Sequence, residues 1–211
     1  MSKSSLVDGA PPVPPRFGSG TAGALLLLAG TVNIIFNTVS EGIYPGYDLG
    51  KDALSDMGAI GSKTFLLWNG QLLVTGILSL VGVVLFLRSS ALPIPNPRLA
   101  WALYLIPPLG EIVVSLFPEN SILVVHGVGA FMVFIFGGLG AIYAYKFTKV
   151  PFRYLSALLG AVSLLAILLF GIPSVIGFGI AERLVVYPFN IWGISFAGYL
   201  MSGPSGAIKP S

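Results

Sequence analysis

Six polar or ionisable residues interrupt otherwise apolar sequence, and their spacing suggests chemistry. Asn33, Asn37 and Glu41 recur every four residues, so a helix would carry all three on one face. Glu111 and His126 each lie inside a hydrophobic run, with Glu119 in the short break between those runs. A buried carboxyl beside an imidazole could exchange protons, with Glu111 or Glu119 as acid or base and His126 as the proton partner. The plainer reading makes His126 a hydrogen-bonded packing residue and Glu111 the partner of Arg183 in a structural ion pair. Glu182-Arg183 is either an interfacial anchor or an arginine clamp for a phosphate headgroup or carboxylate. Asn33 and Asn37 equally suit interhelical hydrogen bonding. Asp48, Asp52 and Asp56 read as a solvated loop face in preference to a cation site, since no calcium-loop pattern is present. Ser55 lacks the strand-turn-helix setting of a nucleophile elbow.

The elements that position these residues follow from composition. Of 211 residues, 55% are hydrophobic and 9% charged, and the mean hydropathy is +0.91. A soluble surface needs roughly 25% charged residues, so the outer surface must be lipid. A helix crosses the hydrocarbon with about 20 apolar residues. Six runs qualify: Gly20–Val39, Phe65–Leu87, Leu99–Phe117, Ile122–Tyr145, Tyr154–Val175 and Leu184–Met201. They are apolar all round and lack the alternation of barrel strands. The predicted fold is therefore all-α, a polytopic bundle of six transmembrane helices. Pro107-Pro108 should kink the third helix one turn below Glu111 and free carbonyls there. The expected organisation is a disordered cytoplasmic tail at 1–17, one membrane domain at 18–203 and a cytoplasmic tail at 204–211. The first span leads into Glu41-Gly42-Ile43-Tyr44, unlike a signal-peptide cleavage site.

Lysine and arginine give the orientation. Lys3, Arg16, Arg88, Arg98, Lys146, Lys149, Arg153 and Lys209 fall on one side; Lys51, Lys63 and Arg183 fall on the other. The positive-inside rule makes the first side cytoplasmic, with both termini inside and the protein in the cell membrane. Strongly polar groups then cluster in the outer half. Glu111 lies ~9 Å and His126 ~6 Å below the outer end of their spans, at ~1.5 Å per residue. Asn69 and Gln71 sit at the outer end of the second span, and Glu182, Arg183, Tyr187 and Asn190 begin the sixth. The loop Ser40–Thr64, with Tyr44 and Tyr47, is too apolar for a free linker and should fold over the outer mouth as a lid.

Glu41-Gly42-Ile43-Tyr44-Pro45-Gly46-Tyr47, followed by Leu54-Ser55-Asp56-Met57-Gly58, resembles the first-loop signature of the domain-of-unknown-function 998 family of prokaryotic polytopic membrane proteins. Asn69, Phe117-Pro118-Glu119 before His126, and Glu182-Arg183 ahead of Tyr187-Pro188 and Trp192 fit the same pattern. The resemblance runs from Ala22 to Met201. It implies a six-helix membrane protein and no assigned activity.

Three functions stay open. The first is a polar pocket in the outer-leaflet half that binds or processes a lipid or small ligand. Its ligand-binding set would be Glu41, Tyr44, Tyr47, Asn37, Asn69, Glu182, Arg183 and Tyr187, with Glu111, His126 and Glu119 as acid/base residues. The second is a structural or accessory subunit with a membrane-protein partner. The third is a proton-coupled transporter, ranked last because the inner halves look dry. No catalytic motif decides whether it is an enzyme. No cysteine and one histidine argue against thiolate and multi-histidine metal sites, and no cofactor is expected. The scattered net charge of +3 does not suggest nucleic acid.

Overall fold

The computed structural model describes residues 18–172 and 176–203. Among these, every long element is helical and no strand occurs. The helices are α1 (Ser19–Ile43), α2 (Phe65–Ser89), α3 (Pro97–Leu116), α4 (Leu123–Ala144), α5 (Phe152–Ala166, with a 3-10 extension Ile167–Gly171) and α6 (Phe178–Met201). All six are long and apolar enough to cross a membrane once the α5 extension is included. Each packs on its neighbours in sequence, and α1 closes the ring against α6. The tails 1–17 and 204–211, and Val175 at the expected end of the fifth span, lie outside the described residues.

Two helix ends differ from expectation. α1 runs on to Ile43, which puts Glu41 in its last turn. α6 starts at Phe178, so Glu182 and Arg183 lie within the helix, not at its start. Charge alone suggested boundaries at these residues. The loop between α1 and α2 supplies partners for both, so neither has to end its helix. α3 continues through Pro107 and Pro108. Neither proline has an N–H, so the carbonyls of Leu103 and Tyr104 lose their usual partners four residues on.

The two ends of the bundle are built differently. We call them the lid end, where the loop between α1 and α2 lies, and the far end. In the far half, Trp192 stacks on Tyr104, Phe189 and Phe196 at centroid distances of 6.1, 6.0 and 5.2 Å. Phe86 meets Phe196 edge-on. The Trp192 indole N–H donates to Ser156 Oγ at 3.0 Å. At the lid end a smaller apolar cluster joins Leu54 and Met57 of the loop to Trp68, Leu72 and Val114 of the bundle. Met57 is fully buried, so the loop is packed down and does not trail in solvent.

Candidate functional site

Close helix approach sets the position of Glu111. A Cβ on Gly76 of α2 would fall 3.0 Å from the Pro108 carbonyl oxygen, and one on Gly110 of α3 2.6 Å from the Gly129 carbonyl oxygen. Glycine at these two places lets α2 and α4 close on either side of the turn that carries Glu111. Glu111 is 8% exposed, and its Oε2 has no hydrogen-bond partner among the described residues. A buried polar atom left without a partner costs about 1–3 kcal/mol. An orphan of this kind calls for an explanation.

Glu111 lies in the wall of two cavities. The outer one, about 60 Å³, is lined by Asn33, Asn37, Trp68, His126, Glu182 and Asn190, among others. The inner one, about 80 Å³, is mostly apolar, with Phe86, Leu103, Tyr104, Trp192 and Phe196 in its wall. Glu111, Phe189 and Asn190 belong to both linings.

Three amides of the outer cavity, Asn33, Asn37 and Asn190, form a chain with Gln71 across three helices. Gln71 Nε2 donates to Asn37 Oδ1, and Asn37 Nδ2 donates to Asn33 Oδ1 at 3.0 Å. Asn190 Nδ2 donates to the same Asn33 oxygen at 2.8 Å. His126 Nδ1 lies 2.9 Å from the Phe117 carbonyl oxygen. A carbonyl can only accept, so Nδ1 carries the proton, and Nε2 of the neutral ring is an acceptor.

A second group of the expected residues holds the loop. Arg183 Nε and Nη2 donate to Glu41 Oε1 at 3.2 and 2.8 Å. Nη2 also donates to the Tyr47 hydroxyl, and Nη1 donates to the carbonyls of Leu49, Asp52 and Gly179. The Tyr187 hydroxyl completes the set by donating to Glu41 Oε1. The partner of Arg183 is thus Glu41, not Glu111 as the plainer reading had it. With five acceptors already on it, the guanidinium is committed to the loop.

The neighbouring acid, Glu182, accepts from the Leu54 backbone N–H. Asn69 donates to the Gly58 carbonyl at 2.8 Å, and Tyr44 packs edge-on against Tyr47. Close approach recurs here. A Cβ on Gly179 would fall 2.3 Å from the Asp52 carbonyl oxygen, so only glycine lets the loop lie on α6.

Across the ring, Ser55 Oγ donates to Glu119 Oε2 at 2.7 Å. Ile60 and Asn120 exchange two hydrogen bonds. Burial, then a hydrogen bond shared with the Asp56 carboxyl, raises the pKa of Glu119 from 4.5 to about 7, although Ser55 opposes the shift. Burial raises Tyr47 above the usual phenol value, with Arg183 opposing. The exposed Asp48 is held below the usual carboxylate range by the Gly50 backbone N–H and then by Lys51.

The chain belongs to the family described as protein of unknown function (DUF998). The family model matches residues 21–199. No curated protein and no solved structure matches the chain. The family description fits a membrane protein of six apolar helices and names no reaction.

The candidate residues of this DUF998 chain therefore fall into two sets. Glu111, His126, Asn37 and Glu182 line the outer cavity. Glu41, Tyr44, Tyr47, Asn69, Arg183, Tyr187 and Glu119 surround the loop and line neither cavity. Asn33, Trp68 and Asn190 were outside the expected ligand set and are cavity residues. For Asn33 the signal was present, because it precedes Asn37 by one turn on the same face. For Trp68 no sequence signal separates a cavity wall from an interfacial belt. No group of three or more histidine and acidic side chains among the described residues is placed to hold a metal.

Proposed function

We propose that this protein binds a small amphipathic ligand, lipid or lipid-like, beneath the loop between α1 and α2, in the outer-leaflet half of the cell membrane. The observation that carries this reading is Glu111. It is a buried acid with an unpartnered oxygen between two mostly apolar cavities, the one nearer the loop carrying more of the amide and ionisable side chains. Buried ionisable groups in a membrane are expensive, and they are retained where they pair with something or face a cavity. An amphiphile would put its head among Asn37, His126 and Glu111, and its tail against Tyr104 and Trp192.

In this reading the loop is a lid held by Arg183, and residues 18–203 act as one membrane domain with both termini cytoplasmic. The lysine and arginine bias supports that orientation. Residues bound to the lid serve it, so Glu41, Tyr44, Tyr47, Asn69, Arg183 and Tyr187 govern access and do not touch ligand. Glu119 belongs to the lid joint, which leaves Glu111 and His126 as the pair able to move a proton to or from a ligand.

Native mass spectrometry of protein released from its own membranes tests this. Gly193 lines the inner cavity, and a side chain there meets open space. Wild type should retain a small amphiphile that Gly193→Leu loses while remaining folded. Wild type without any adduct, or an adduct equally retained by the variant, would sink the proposal.

A further inference from the structure

Resting on that reading, we propose that the ligand's head is a cation, an ammonium group on an apolar chain, and that the site discriminates against anions. The expectation from sequence was the reverse, with Arg183 clamping a phosphate or carboxylate. Its guanidinium is occupied by Glu41, Tyr47 and three loop or helix carbonyls, and it lines neither cavity. Among the described residues, no lysine or arginine lines either cavity.

The groups that do line them mostly accept. Glu111 Oε2 is buried and unpartnered. His126, with its Nδ1 proton on the Phe117 carbonyl, has an accepting Nε2 in its neutral form. Glu182 is the second acid of the outer wall. Trp68 Nε1 and the Thr75 hydroxyl are unpartnered groups that can donate. Both are neutral and suit a hydroxyl or carbonyl oxygen, but they cannot balance a negative charge.

An anion would therefore meet two acids with no cation to offset them. An ammonium would give Glu111 the partner that the protein does not supply, and its three donors match the surplus of acceptors. Two charges brought together away from water interact more strongly than in solution. The apolar chain would run toward Phe86 and Phe196.

Three probes with one chain and different heads decide the matter: hexylamine, hexan-1-ol and hexanoate. Near pH 7 the first is cationic, the second neutral and the third anionic. Binding is read by ligand-detected NMR and thermal shift on the full-length protein in nanodiscs. Empty nanodiscs measure partition into lipid. Hexylamine should bind at least about tenfold more tightly than hexanoate, and Glu111→Gln should erase that preference. Gly193→Val should weaken hexylamine by blocking the chain and leave Glu111 in place.

If hexanoate binds as well as hexylamine, or Glu111→Gln keeps the preference, the cationic assignment is overturned. If hexan-1-ol or hexanoate also binds in a manner lost in Gly193→Val, the ligand-binding reading survives that failure. If none of the three binds above the empty-disc level, both fall. Glu111→Asp, which keeps the charge, should retain the preference for the amine if Glu111→Gln proves unstable.

Discussion

In the far half, Trp192 lies among Tyr104, Phe189 and Phe196, and its one polar atom is satisfied by Ser156. At the lid end, Arg183 holds three elements through charge-assisted hydrogen bonds, and Glu111 has a polar atom with no protein partner. The far half is held by ring contacts, and the same rings wall the inner cavity. The lid end combines strong directional bonds with open acceptors. The rings of the far half wall the apolar cavity but cannot swing aside to open a way into it. A bonded loop over a partly empty cavity can, if the bonds release together.

Four changes would test that contrast. Trp192→Ala should have the largest effect. It removes three ring contacts and leaves Ser156 without its partner, at about 3–5 kcal/mol for a buried large-to-small change. Thermal unfolding in detergent should show one cooperative loss. If only the lid loosens, the far half is not the stable region supposed here.

Arg183→Leu comes next. It strands the Glu41 carboxylate, which is 15% exposed, so the cost falls below the about 3–5 kcal/mol of breaking a fully buried pair. The effect should be local. Hydrogen exchange should rise over residues 44–64 and stay unchanged around Trp192. Arg183→Lys should recover part of the loss, since it keeps the charge and lacks the planar fork.

The third test uses pH. In the folded lid Glu119 keeps its proton up to about 7, whereas an ordinary glutamate releases it at 4.5. The folded state then binds more protons between these values, so stability must fall as pH rises from 4.5 to about 7 and level off above. Glu119→Gln should flatten that dependence in a thermal-shift series. Persistence of the slope in the variant would assign it to another group. Smallest of all, Lys51→Ala removes an exposed pair with Asp48 and should not move the melting temperature measurably.

The fold was largely legible in the sequence, because six stretches of about 20 apolar residues admit few other arrangements. The site was legible in kind but not in pairing. Spacing put Asn33, Asn37 and Glu41 on one face, yet the two asparagines face the cavity while Glu41, one further turn along, faces the lid. A period of four says which residues share a side. It does not say where the membrane-embedded part stops and the lid begins. The partner of Arg183 could not be read either. Glu41 lies far away in sequence, and the contact exists because Gly179 lets the loop press onto α6. Gln71 and Asn190 were visible as polar residues near span ends, but their link through Asn37 and Asn33 depends on ring closure between α1 and α6.

That closure also has a consequence for biogenesis. α1 leaves the ribosome first and α6 last, and domains are made from the N-terminus onward. Asn33 and Glu41 therefore enter the membrane region long before Asn190 and Arg183 exist. Asn33 can wait, because Asn37 occupies it from the same helix and Gln71 arrives with α2. Glu41 has no such early partner, and its stabilising cation is synthesised only with α6. A nascent chain halted before α6 would hold an unclosed ring with Glu41 unpaired, a feature that cellular quality control could read as incomplete.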